Sequence, residues 1–68
     1  MEKVKISTEF IKLDQFLKFT NICSSGTDAK FIIQNSDILV NGESEKRRGR
    51  KLFKGDKVEV MGKIFLIE

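Results

Sequence analysis

Histidine is absent from this chain, and with it the side chain most used for proton transfer near neutral pH and for zinc ligation. The single cysteine, Cys23, has no imidazole to activate it, cannot close an internal disulfide and builds no recognisable zinc site. These shortages argue against an enzyme, against a bound metal and against a resident cofactor. Tryptophan, tyrosine and proline are missing too, so six Phe with Ile, Leu and Val must supply the core. No apolar run approaches the roughly 20 residues of a membrane span, and the charged start Met1-Glu2-Lys3-Val4-Lys5 does not read as a signal peptide. A small domain without disulfides fits a reducing compartment, so a cytoplasmic location is expected. Cys23 follows the apolar Ile22 and reads as a near-core residue.

Sixty-eight residues make one domain, spanning 1–68, with a core too small to leave room for a deep substrate pocket. At 40% hydrophobic and 34% charged residues the chain is globular rather than disordered. Its charge is unevenly spread. Between Lys46 and Lys57 lie Lys46, Arg47, Arg48, Arg50, Lys51, Lys54 and Lys57 against Asp56 alone, giving +6, while the remainder carries −3. Such a cationic edge on a mildly acidic body attracts polyanions, nucleic acid foremost, although a solvated loop kept for solubility has the same composition.

Hydrophobic spacing divides the rest. Val4 and Ile6 alternate with polar neighbours, as in a short strand. Leu13, Phe16, Leu17 and Thr20 follow helical spacing from about Lys12 to Thr20, with Lys12 a poor N-cap and Asp14 suited to the helix dipole. Ser25 starts a second helix as its cap, with Asp28 reaching back, and Ala29, Ile32 and Ile33 form its apolar stripe. That helix ends near Asn35, where Asn35 or Ser36 is expected in the left-handed conformation. The period then changes to two. Ile38 and Val40 lead into Asn41-Gly42, a strong two-residue hairpin signal, and a return strand runs from about Glu43 to Lys46. After the basic segment, which reads as a loop mobile in the free protein, Lys54-Gly55-Asp56 turns into strands at Val58–Val60 and Ile64–Ile67. The element order is β-α-α-β-β-β-β.

The runs Lys12-Leu13-Asp14-Gln15-Phe16-Leu17, Ser24-Ser25-Gly26-Thr27-Asp28-Ala29-Lys30 and Ile38-Leu39-Val40-Asn41-Gly42 together resemble the S4 RNA-binding domain. That family's pattern is Arg-Leu-Asp-x-x-Leu, Ser-Arg-x-x-Ala-Arg and Val-x-Val-Asn-Gly at similar spacing, and the likeness covers nearly the whole chain. The run Arg47-Arg48-Gly49-Arg50-Lys51-Leu52 looks like that of the stand-alone bacterial S4-domain proteins, the YaaA/YbcJ-like group. The resemblance implies an α+β, S4-like (alpha-L) fold, a helical hairpin on a small curved antiparallel sheet. It also implies a non-catalytic RNA-binding role, with ribosomal RNA or the ribosome as partner. Four positions depart from the pattern: Lys12 replaces Arg, Gly26 stands where an Arg follows Ser, Phe31 replaces a second basic residue, and Ser36 replaces a helix-ending Gly.

The expected RNA contacts are Lys12, Ser25, Gly26 and Lys30 on the helical face, and Lys46, Arg47, Arg48, Arg50, Lys51 and Lys54 on the basic segment. Ser25 and the amides behind it lie at a helix N-terminus, which favours phosphate, though capping alone explains them. Lys30 projects away from the apolar stripe, as an ordinary solvated lysine also would. The arginines offer planar forks to phosphate oxygens, and so dense a self-repelling cluster serves no structural need. Phe31 could stack on an unpaired base, but so small a core favours a packing role for it. Phe10, Phe16, Phe19, Phe53 and Phe65 read as core or partly buried. Two further readings stay open: an adaptor whose basic edge docks on an acidic protein, and a duplex-DNA binder, against which speaks the lack of a helix carrying base-reading side chains on a basic face. A monomer is expected, with neither a membrane nor a small-molecule substrate as partner.

Overall fold

The helical hairpin follows from the apolar spacing. In the computed structural model, which describes Met1 to Glu68, helix α1 spans Leu13–Phe19 and buries Leu13, Phe16 and Leu17. Helix α2 spans Gly26–Asn35 and buries Ala29 and Ile33. At seven residues α1 is too short to persist alone and relies on packing. It stops where Asn21 takes the left-handed conformation, φ 62°, while the Ile22 and Cys23 amides both donate to the Leu17 carbonyl. Cys23 packs against the core as expected, and its burial pushes the thiol pKa up.

Seven strands complete the fold: β1 Glu2–Val4, β2 Phe10–Lys12, β3 Leu39–Val40, β4 Glu43–Ser44, β5 Lys51–Phe53, β6 Lys57–Val60 and β7 Lys63–Ile67. Five form one sheet in the order β1-β7-β6-β3-β4, and β2 pairs with β5 in a separate ribbon. The architecture is α+β and S4-like, with both helices against the small sheet. None of its helices is long and apolar enough to cross a membrane.

The sheet is mixed rather than wholly antiparallel, because β1 runs parallel to β7. Parallel pairing needs a long crossover, and nearly the whole chain separates these two strands. Ile6 lies beyond β1, yet it is buried and its amide donates to the Glu68 carbonyl. The ribbon is the other departure. In place of a wholly irregular basic loop, Lys51–Phe53 pairs in register with Phe10–Lys12, so that Ile11 faces Leu52. Leu52 is fully buried.

Turn chemistry is largely as expected. Asn41 and Gly42 both have positive φ, 53° and 85°. Asn41 also fastens its turn to the next one: its Nδ2 donates to Asp56 Oδ1 at 3.0 Å, and the Lys57 amide donates to its Oδ1 at 2.9 Å. The end of α2 differs from expectation. Neither Asn35 nor Ser36 is left-handed; Ser36 is extended at φ −117°, and its amide still donates to Ile32. Asn35 Nδ2 closes the last turn by donating to the Phe31 carbonyl, which removes the need for a left-handed residue.

The core is built on Phe16 and Phe65, whose rings meet edge to face at 5.3 Å. Phe10 is half-buried, but Phe19 and Phe53, expected to be at least partly buried, are exposed, and Phe31 lies on the surface with 65% of its area open to solvent. The aliphatic residues fill the interior without them. Replacing Leu52 with Ala should cost roughly 2–5 kcal/mol, a large share of a small domain's stability. Denaturant unfolding followed by circular dichroism measures it, and a cost under about 1 kcal/mol would mean that the ribbon is not part of the core.

Candidate nucleic-acid interface

Glu45 is the only charged residue buried in the fold, with 5% of its surface exposed. Its amide donates to the Ile38 carbonyl at 2.8 Å, which fixes the backbone just past β4. From there its carboxylate turns into the cationic segment. Oε2 accepts from the backbone amides of Lys46 and Arg47 at 3.1 and 3.0 Å and from Arg47 Nε at 3.0 Å. Oε1 accepts from Arg47 Nη2 at 3.0 Å and Arg50 Nη1 at 2.7 Å. These charge-assisted bonds satisfy both oxygens. The Arg47 guanidinium is the main influence holding the Glu45 carboxyl down at about 2; burial opposes it and Arg50 assists.

The segment returns support to the helices. The carbonyls of Arg50 and Arg48 accept from the Leu13 and Asp14 amides at 2.9 and 3.1 Å, satisfying the start of α1 that Lys12 leaves without a side-chain cap. Lys46 Nζ donates to the Ser36 carbonyl at 3.1 Å, beyond the end of α2. The basic segment, expected to be a mobile loop, is hydrogen-bonded into an arm lying across one end of the hairpin.

Within this arm the side chains are not equivalent. Arg50 is held inward, its side chain 29% exposed, whereas Arg47 remains 74% exposed while forked onto Glu45. Arg48 lies exposed in the tight turn with Gly49 and makes no ion pair, and Lys54 is likewise exposed and unpaired. Lys51 stands directly opposite Lys12 across the ribbon, with its ammonium 4.7 Å from the centre of the Phe10 ring.

The helical-face candidates sit elsewhere. Ser25 caps α2 as expected, accepting from the Asp28 amide at 3.1 Å. Asp28 does not reach back to Ser25; its carboxylate accepts from Ser24 Oγ at 3.4 Å instead. That acid already complements the helix dipole, so an incoming phosphate meets a local negative charge. Gly26 opens onto free space, and a nucleic-acid backbone can approach it. Lys30 is exposed. Because Lys46 bonds at the opposite end of α2, Ser25 and Gly26 lie about 15 Å from that anchor along the helix. The structure therefore gathers Lys12, Lys46, Arg47, Arg48, Arg50 and Lys51 around the arm and leaves Ser25, Gly26 and Lys30 as a separate group. Sequence reasoning missed Glu45. An acid immediately before a basic run was its only signal, and counting charge from Lys46 left it outside.

This alpha-L arrangement is matched in sequence. The chain belongs to the S4 domain family, whose profile matches residues 4–68. It is 48% identical over 59 residues, 87% of its length and 83% of the relative's, to the Bacillus subtilis (strain 168) protein named "Probable ribosome maturation protein RlbA".

The depressed Glu45 pKa gives a stability profile. Its stabilisation is complete above about pH 4.5 and is lost as pH falls toward about 2. Over that window it amounts to at most about 3 kcal/mol. Glu45→Gln should lower stability at pH 7 by about 1–3 kcal/mol and flatten the curve between those pH values. Unfolding at a series of pH values tests this; parallel curves for the two proteins would mean that Glu45 is not the anchor.

Proposed function

We propose that this protein is a non-catalytic RNA-binding protein that contacts structured RNA, most plainly ribosomal RNA, through the Glu45-anchored arm with Lys12 beside it, and that Ser25, Gly26 and Lys30 on α2 add to the footprint. The carrying observation is the arm itself: Lys46, Arg47, Arg48, Arg50 and Lys51 follow one another on a backbone hydrogen-bonded to the Glu45 carboxylate and to the start of α1. Fixed cations suit recognition of a phosphate pattern and shape rather than base sequence. Membership of the S4 family and the ribosome-maturation name of the relative favour an RNA partner over an acidic protein or duplex DNA. The absence of histidine and the raised thiol pKa of Cys23 favour binding over catalysis.

Arginine roles divide within this reading. Arg47 and Arg50 hold the arm in shape, with Arg47 presenting its remaining donors outward. Arg48, Lys51 and Lys54 are free to take phosphates.

Crosslinking and sequencing of RNA bound to the tagged protein in cells tests the target. An Arg48→Glu/Lys51→Glu/Lys54→Glu variant, which spares both partners of Glu45, runs beside it. Reads concentrated on one ribosomal RNA region and lost in the variant are expected. The same reads in both would move binding to the helical face, and no RNA above background would favour the protein adaptor. With about five phosphates neutralised, log K should fall with log salt at a slope of roughly −3.5 to −4.5. Titration at several salt concentrations measures this slope, and a slope near zero would contradict phosphate contact.

A further inference from the structure

The β2–β5 ribbon has two faces of opposite character. Ile11 and Leu52 point into the core, while Phe10, Lys12, Lys51 and Phe53 share the outer face. Phe10 and Phe53 are cross-strand partners whose ring centres lie 5.9 Å apart and tilted, so the two rings do not cover each other. Phe53 is 43% exposed. Lys12 and Lys51 are the adjoining pair in the same register. Like charges directly opposite destabilise a ladder, and exposed aromatic rings give up burial that a small core can ill spare. The Phe10–Phe53 pair and the Lys51 ammonium over Phe10 stabilise the ribbon locally, but the facing lysines and the solvent-exposed area of Phe53 do not.

The outer face does not end at the ribbon. An open depression lined by Phe10, Lys12, Gln15, Lys18 and Phe19 carries it onto α1, and no acidic side chain borders that depression. Phe19 there is 57% exposed. The surface thus alternates rings and ammonium groups, Phe53 and Phe10 with Lys51 and Lys12, then Lys18 and Phe19. Rings receive the flat faces of nucleobases and lysines receive the phosphates between them, the combination that holds single-stranded nucleic acid.

We propose that this face binds an unpaired RNA segment, its bases stacking on Phe53 and Phe19 and its phosphates meeting Lys12, Lys18 and Lys51, the last of which lies over Phe10. The inference rests on the RNA reading above and adds a second mode to it. The arm takes phosphates of folded RNA, and the ribbon face takes a single strand beside it. Lys51 belongs to both, since it lies between the arm and the ring of Phe10. The surface fits a partner with a helical element flanked by unpaired nucleotides, rather than a perfect duplex. The ring edges supply no base-specific donors, so stacking on them is indifferent to sequence.

The test compares a blunt RNA hairpin with the same hairpin carrying a short unpaired tail that contains 2-aminopurine. The intact protein should bind the tailed probe more tightly by roughly 5- to 150-fold for each base stacked, and the 2-aminopurine fluorescence should be quenched on binding. Phe53→Leu combined with Phe19→Leu should abolish the preference for the tail and leave blunt-hairpin affinity within about twofold. Phe53→Tyr should retain the preference, since a phenol still stacks. Proton spectra of the intact protein give a readout independent of any variant. The ring signals of Phe19 and Phe53 should shift on adding the tailed probe and not the blunt one. A tail preference that survives loss of the rings, or unshifted ring signals, would overturn the ribbon site while leaving the RNA reading intact. Failure of the intact protein to bind either hairpin would overturn both.

Discussion

Six cationic side chains within nine residues cannot hold a fixed shape by themselves, because their mutual repulsion favours an expanded loop. The Glu45 carboxylate removes that difficulty. It lies under the segment, accepts five hydrogen bonds from Lys46, Arg47 and Arg50, and holds the backbone path from Lys46 to Arg50. Burying a carboxylate is costly and is offset only when its geometry and partners are good. Here both oxygens are satisfied, and no buried side-chain polar atom in the protein lacks a partner. Arg47 and Arg50 take their positions directly from this carboxylate, and Lys46 and Arg48 lie on the backbone it holds. In electrostatic terms alone, an acid inside a phosphate-binding surface should weaken binding. Its value lies in conformational order, since a surface shaped beforehand spends less of its interaction energy on ordering when RNA arrives.

The dependence runs in both directions. Helix α1 begins without a side-chain cap, and the carbonyls of Arg48 and Arg50 satisfy its first amides. Leu52, a little further on, carries the segment into the core against Ile11. The cationic arm is thus also the N-terminal support of a seven-residue helix and half of a β-ribbon. Loosening the arm should loosen the hairpin, which ties the proposed function to the stability of the fold more closely than a surface loop would.

Local features were legible in the sequence. Leu13, Phe16 and Leu17 marked the buried stripe of α1, Ser25 the cap of α2, and Asn41-Gly42 a turn with two positive φ values, because each is decided within a few residues. The ribbon was not legible, since three-residue strands show too little alternation and Ile11 finds Leu52 far along the chain. Parallel pairing of β1 with β7 depends on long-range closure of the same kind. Asn35 supplied an alternative close to α2 through its side chain, where a left-handed backbone had been the simpler expectation. Hydrophobicity for Phe19 and Phe53, and the smallness of the core for Phe31, point toward packing, and only the tertiary structure reveals that the aliphatic core fills without them. At the site, the cationic cluster was plain from composition. The division of labour among its arginines was not, because that is decided by one acid just outside the run.

Backbone nitrogen relaxation of the free protein and of Glu45→Gln distinguishes an arm fixed by its buried carboxylate from a loop that only RNA orders. The amides of Lys46 to Arg50 should be as rigid as those of β6 and β7 in the intact protein and become mobile in the variant, with the sheet unaffected. Mobility of these amides in the intact protein, or equal rigidity in both, would contradict anchoring by the carboxylate.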